Sequence, residues 1–314
     1  MTLATNALTT YSAIGNREDL MDDIYLTSPT DTPFLANVDR EPASAVLHEW
    51  QTQALAAAAT NAVLEGDEPT ATAATVTVRL SNTAQISAKY PRVTGTQRAV
   101  DSAGRDDELS YQTALMVEEL KRDMETVLTA NQQENTGNST TARTLGAIPS
   151  WIDTNTSNGA TGSDGSLGNT TRTDGTQRAF TESLLATVLQ DVWTSGGNPN
   201  RIMLGGFNKR QLSTFGGNAT RFKKAEDRKL MAGIDVYESD WSPEGLIVSP
   251  NRFMRSRDCL ILQDDMWAVA FLREFAIEEL SKTGDSDRVQ VISEYTLVSR
   301  NERASGAVWD LTTS

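Results

Sequence analysis

Arg105 to Gln133 reads RDDELSYQTALMVEELKRDMETVLTANQQ, and this stretch sets the frame of the fold. Asp106, Asp107 and Glu108 stand first, where carboxylates favour the positive end of a helix dipole. Leu109, Thr113, Met116, Leu120, Met124 and Val127/Leu128 follow at three- and four-residue spacing and form one apolar stripe. Glu118, Glu119, Lys121, Arg122, Asp123 and Glu125 are assigned to the opposite, solvated face. At ~1.5 Å per residue such a helix runs ~40 Å, long enough to act as a spine.

Downstream, residues 135–178 are rich in Gly, Asn, Thr and Ser, interrupted by the apolar run Leu145 to Ile152. Long loops without regular structure are unusual in a compact domain, so this one is expected to serve an interface and to be held from outside. An α/β unit follows. Phe180 to Trp193 has Leu184, Leu185, Val188, Leu189 and Val192 on one face and stops at Ser195-Gly196-Gly197. Arg201–Leu204 reads as a short buried strand, and Gly206 to Phe215 as a second helix. Strands are expected at Ile234–Tyr237, Leu246–Val248, Cys259–Leu262, Trp267–Leu272, Ile277–Leu280 and Arg288–Arg300.

Upstream, Val46–Gln51 and Thr75–Leu80 have strand character, the second with period-two alternation, and Asn82 to Tyr90 continues in that style up to Pro91. With the Ala/Thr-rich stretch Ala54 to Ala74 between them they make a long two-stranded ribbon. Such a ribbon is marginal alone and has to lean on a neighbour. Residues 1–45 read as an extended arm with one short helix, Arg17 to Tyr25, which Ser28-Pro29 and Thr32-Pro33 terminate.

Composition narrows the function classes. The 314 residues are 38% hydrophobic and 22% charged with 21 Gly, a globular balance with a thin apolar share. A net charge of −14 argues against wrapping nucleic acid, which relies on Lys and Arg; solubility alone is the favoured reading of it, and it also suits an inner wall that a polymer packs against without sticking. Cys259 is the only cysteine, so an intrachain disulfide is impossible. Met1 to Asn16 lacks the basic and apolar regions of a secretory signal, and no apolar run approaches the ~20 residues of a membrane span, so synthesis in a cytoplasm and no membrane partner are expected.

The catalytic inventory is close to empty. His48 is the single histidine and falls in a ribbon strand, where it reads as a surface residue. Asp22-Asp23 and Asp264-Asp265 are read as turn or solvated residues, because neighbours on a strand point to opposite faces. Asp153 to Gly159 resembles the front of a calcium loop, but position six is Asn158 and position twelve is Asp164, which favours a plain polar loop. The basic cluster Arg221, Lys223, Lys224, Arg228 and Lys229 is broken by Glu226 and Asp227, which favours a surface or subunit contact. No catalytic, cofactor-binding or metal-binding residue is assigned, and no cofactor.

The order of these pieces carries a resemblance. The helix ending Trp193-Thr194-Ser195-Gly196-Gly197-Asn198-Pro199, the strand Ile202-Met203-Leu204, a helix from Phe207 and then Met231 to Val236 form its densest part. Met266 to Glu279 followed by Val289 to Tyr295 closes the pattern, and Thr10 to Leu20 with Ser28 to Phe34 opens it. The ordered set resembles the HK-97-type major capsid (major head) proteins of tailed bacteriophages. The resemblance implies an α+β fold with an N-arm (1–45), an extended E-loop (46–92), a peripheral (P) domain with its spine helix and long polar loop (93–178), an axial (A) domain (179–262) and strands returning to the P domain (263–314).

What the resemblance implies for function is a virion shell protein, not an enzyme, assembled in the host bacterial cytoplasm. It would self-assemble into pentamers and hexamers of an icosahedral head that encloses double-stranded DNA without sequence-specific binding. Scaffold, portal and cementing proteins are further partners it implies. Some family members weld subunits through an E-loop lysine; here the first lysine is Lys89 and the ribbon tip has none, so no such crosslink is expected. Two other readings remain open at this point: an encapsulin-like nanocompartment shell and an α/β hydrolytic enzyme. The first would be told apart by protein cargo in place of DNA, and the second is opposed by the single histidine.

Overall fold

The computed structural model describes residues 26–68, 73–215 and 236–314. The expected helix at Arg17 to Tyr25, the Asp22-Asp23 pair and the basic cluster from Arg221 to Lys229 lie outside the described residues. In chain order the elements are α1 (Pro33–Asn37), β1 (Asp39–Pro42), β2 (Leu47–Thr52), β3 (Val78–Thr83), β4 (Gln85–Lys89), β5 (Arg92–Thr94), α2 (Gly95–Ala99), α3 (Glu108–Leu128) and α4 (Ile148–Trp151). They continue with β6 (Thr156–Ser157), α5 (Glu182–Thr194), β7 (Arg201–Leu204), α6 (Gly206–Leu212), β8 (Val236–Ser239), β9 (Ser242–Pro250), β10 (Cys259–Leu262), β11 (Trp267–Leu280), β12 (Ser286–Ser299) and β13 (Gly306–Val308).

The spine helix α3 starts where its cap dictates. The Asp107 carboxylate accepts hydrogen bonds from the Ser110 amide and hydroxyl, satisfying one of the free N–H groups of the first turn. The helix is shorter than expected at both ends, and its burial is concentrated in the second half, at Leu120, Met124, Glu125 and Leu128. Glu125 corrects the expected solvated face: it is fully buried on the core side.

α3 lies across a five-stranded sheet in the order β1-β11-β12-β4, with β5 also on β12. Trp267–Leu272 and Ile277–Leu280, expected as two strands, are one 14-residue strand, β11, antiparallel to β12 with register shifts after Phe271 and after Arg273. Bulges of this kind absorb the residues that interrupt the period-two pattern and bend the strand. β1 joins the same sheet in parallel with β11, Asp39 opposite Ala268. The described end of the arm therefore belongs to the body of its own chain. Pro33, expected as a stop, begins α1 instead: a proline at the first helical position has no N–H to leave unsatisfied.

The second sheet has six strands, β6-β13-β10-β7-β9-β8. It is a wall between two cores, which explains the unbroken apolar runs of β7 and β10. Ile202, Leu204, Cys259 and Ile261 face a core built with α5 (Leu185, Val188, Leu189, Val192) and α6 (Leu212). Met203, Leu260 and Leu262 face the other core, shared with Met124 and Leu128 of α3 and with Trp151, Trp267 and Tyr295. Sheet membership does not follow the chain divisions at 178 and 262. β6, from the polar loop, and β13, near the C-terminus, both pair into this six-stranded sheet.

β2 and β3 form the expected antiparallel ribbon, Leu47 opposite Thr83 and Thr52 opposite Val78. Its base leans on the chain's own core. Trp50 packs on Trp151 with ring centroids 5.4 Å apart, and its indole N–H donates to the Ser299 carbonyl at 2.8 Å.

Candidate assembly surface

Past Thr52 and before Val78 no described residue belongs to a helix or strand, and the apolar side chains of the tip point into solvent. Leu55 is 96% exposed, Leu64 81%, Val76 80% and Val63 69%. Isolated exposed apolar residues are unremarkable on a folded surface, but four on one small-residue segment without a core beneath them constitute a surface that gains by being covered. The described part of the tip is rich in Ala and Thr and contains no Lys or Arg, so two backbones can come close there without desolvating a cation.

The polar loop 135–178 corrects the expectation that it is held from outside: its own chain clamps it. The carboxylate of Asp310 is fully buried and accepts from the Gly159 amide (3.0 Å), the Gly175 amide (2.9 Å), Arg172 (2.9 Å) and Arg257 (2.8 Å). Burial pushes its pKa up, but Arg172 and the two amides prevail and hold it below the usual carboxylate value. The Arg172 guanidinium is stacked 4.7 Å over the Trp309 ring. The glycines of the loop are there for close approach. At Gly159, Gly162 and Gly175 a Cβ would come within 3 Å of Asp310 or of neighbouring backbone. Gly168 combines φ +76° with a Trp151 ring that would lie 2.8 Å from a Cβ.

The calcium-like stretch is tied to the same C-terminal segment through Asp164. Asp164 accepts from Thr156 (2.8 Å), Asn158 (2.7 Å) and the Trp309 indole (3.0 Å), so its oxygens are taken up in holding the loop to the C-terminal strand. Among the described residues no group of three or more His, Cys, Asp or Glu side chains is placed to hold a metal ion. His48 is half-buried with its ring 5.9 Å from that of Trp50. Asp264 departs from the solvated reading, since it is buried and receives the Arg201 Nε at 2.9 Å, while Asp265 is exposed. Cys259 is buried, and its thiol pKa is pushed far up by that burial.

Two charged groups on the body have no counterpart in the sequence reading. Glu294, buried on β12, bridges Arg143 at 2.6 Å and Arg273 at 2.9 Å, pinning the polar loop to the five-stranded sheet. Asp258 sits beside Arg255 at 3.3 Å with neither oxygen hydrogen-bonded, and burial raises its pKa to about 6. The Arg143–Glu294 bridge, like the pairs of Asp174 with Arg255 and of Asp310 with Arg172, joins residues 81 to 151 positions apart and has no local signature. The only hint is the abundance of Arg and Asp around Arg172, Asp174, Arg255 and Arg257.

A family model described as SU10 major capsid protein matches residues 4–312. The chain belongs to the SU10 major capsid protein family. The major capsid protein of Escherichia phage Phieco32 is 35% identical over 123 residues, covering 39% of this chain and 35% of that relative's length.

Among solved structures, the capsid of a native GTA particle superposes with TM-score 0.66 at 12% identity, over 99% of this chain and 100% of that one. Mycobacterium phage Cain gives 0.64 at 12% identity over 98% and 100%, and the cyanophage A-1(L) capsid asymmetric unit gives 0.63 at 12% identity over 97% and 98%. At such identities the likeness is one of fold, and the fold is HK-97-like. In this SU10-family chain the Asp310 clamp ties the polar loop to the C-terminal segment.

Proposed function

We propose that the protein is the major capsid subunit of a tailed bacteriophage, self-assembling through pentamers and hexamers into an icosahedral head around double-stranded DNA. The observation that carries this is the SU10-family match across residues 4–312, on a body from which an apolar ribbon tip projects uncovered. In this reading α3 and the five-stranded sheet are the P domain, the six-stranded sheet with α5 and α6 is the A domain, and the ribbon of 46–92 is the E-loop. Residues 1–45 are the N-arm. The tip lies over a neighbouring subunit, where many modest contacts repeated by closed symmetry add up to a stable shell.

The role is structural, with no catalytic step. The −14 charge suits a wall that encloses DNA without gripping it, and scaffold, portal and cementing proteins are the partners such a head calls for. Neither a cargo-filled nanocompartment nor a hydrolase is favoured by the family match. Negative-stain microscopy of the purified chain tests the proposal. Capsomers or shells are the expected result, and a dispersed monomer under all assembly conditions would overturn it.

A further inference from the structure

The buried Glu125 carboxylate joins three parts of the chain that are far apart in sequence. Its Oε1 accepts from the Phe34 amide at 2.8 Å and from the Asn251 side-chain amide at 2.6 Å, and its Oε2 accepts from the Leu35 amide at 2.9 Å. Phe34 and Leu35 are in the first turn of α1 in the arm, Glu125 is on the spine helix, and Asn251 follows β9 of the six-stranded sheet. All four residues are at most 3% exposed. Phe34 and Leu35 would otherwise bury first-turn N–H groups without a partner, at a cost of about 1–3 kcal/mol each.

Among the described residues no cation is paired with this carboxylate. α1 carries no titratable side chain, and the flanking Asp31 and Asp39 are exposed. On α3, Arg122 is stacked 5.2 Å over Phe253 and Asp123 is paired with Lys89 at 2.7 Å. In the turn after β9, Arg252 is exposed. Burial pushes the Glu125 pKa up, and the amides of Leu35, Phe34 and Asn251 only partly offset it.

We propose that Glu125 is a latch that couples the seating of the arm at Phe34 and Leu35 to the turn at Asn251, so that the arm and the six-stranded sheet do not shift independently. Among the described residues Asn251 is hydrogen-bonded to Glu125, Met203, Phe253 and Leu204, so its hydrogen-bonded link to the arm runs through this carboxylate. Glu125 is a positioning residue, and its role does not depend on what the rest of the arm meets in an assembly.

Amide hydrogen exchange on the full-length chain tests it. In E125Q an amide N–H₂ faces one of the two arm amides in place of an acceptor. Exchange at Phe34 and Leu35 should rise about tenfold or more while amides of β12 keep wild-type protection. N251A should raise exchange at the same two amides, and the double variant E125Q/N251A should add little to either, as expected of groups acting through one contact. Wild-type chain alone supplies a further readout if the variants fold poorly. In the wild type the amides of Phe34 and Leu35 should share their opening free energy with the amide of Asn251, as expected of parts that move as one. N251A with unchanged exchange at Phe34 and Leu35, additive effects in the double variant, or wild-type opening free energies that differ between the arm amides and Asn251 would each overturn the latch.

Discussion

Trp50 is one of the few side chains in the ribbon that could be recognised as an anchor, yet its partners are 101 and 249 residues away, at Trp151 and Ser299. W50A removes an aromatic contact and the donor to a strand carbonyl, and should destabilise the chain by about 3 kcal/mol in denaturant unfolding. Asp258 belongs to the same scale. Its folded pKa, about 6, lies above the ordinary 3.8, so the folded state holds its proton more tightly than the unfolded state. Stability is therefore lost as pH rises from about 4 to about 6, by about 3 kcal/mol for a shift of roughly two units, and is level above that. D258N should flatten this part of a Tm-against-pH curve; an unchanged slope would count against the assignment. Neither Asp258 nor Glu125 could be singled out from sequence, because helical spacing places Glu125 among charged neighbours and says nothing of what approaches from residues 34 and 251.

At the scale of elements, strands and helices with a clear period were legible. α5 and β7 fall within two residues of their expected limits, since an amphipathic stripe and an unbroken apolar run are local signals. The polar loop was misjudged in its support because its apolar content is low. Gly, Asn, Thr and Ser bury well when each amide and hydroxyl finds a partner, and here they wrap a buried Asp-Arg-Trp cluster. G168A adds a Cβ at φ +76° against the Trp151 ring and should cost about 2 kcal/mol or more, read as a lowered Tm. The ribbon tip should behave in the opposite way. L55D/L64D changes two side chains that touch little of their own chain, so Tm of the unassembled protein should move by less than about 1 kcal/mol equivalent while shell formation in light scattering is lost.

For the whole molecule, the six-stranded sheet ties the unit of α5 and α6 to the spine through Met203, Leu260 and Leu262, and the C-terminal residues Gly306 to Leu311 close both the sheet and the loop. The ribbon tip has no lysine and Lys89 is paired with Asp123 and Glu119 on α3, so non-covalent contact is the expected means of holding neighbours. Denaturing gels of assembled particles should accordingly show a single monomer band, and ladders of linked chains would refute that. Element order, the periodic helices and strands, and the projecting ribbon were determined by the sequence alone, because propensity and periodicity act over a few residues. The folding of the arm's end into the body, the internal clamping of the glycine-rich loop and the burial of Glu125 were decided only in the tertiary structure. Each depends on groups brought together across ninety residues or more, and their hydrogen bonds and desolvation exist only after the chain has closed on itself.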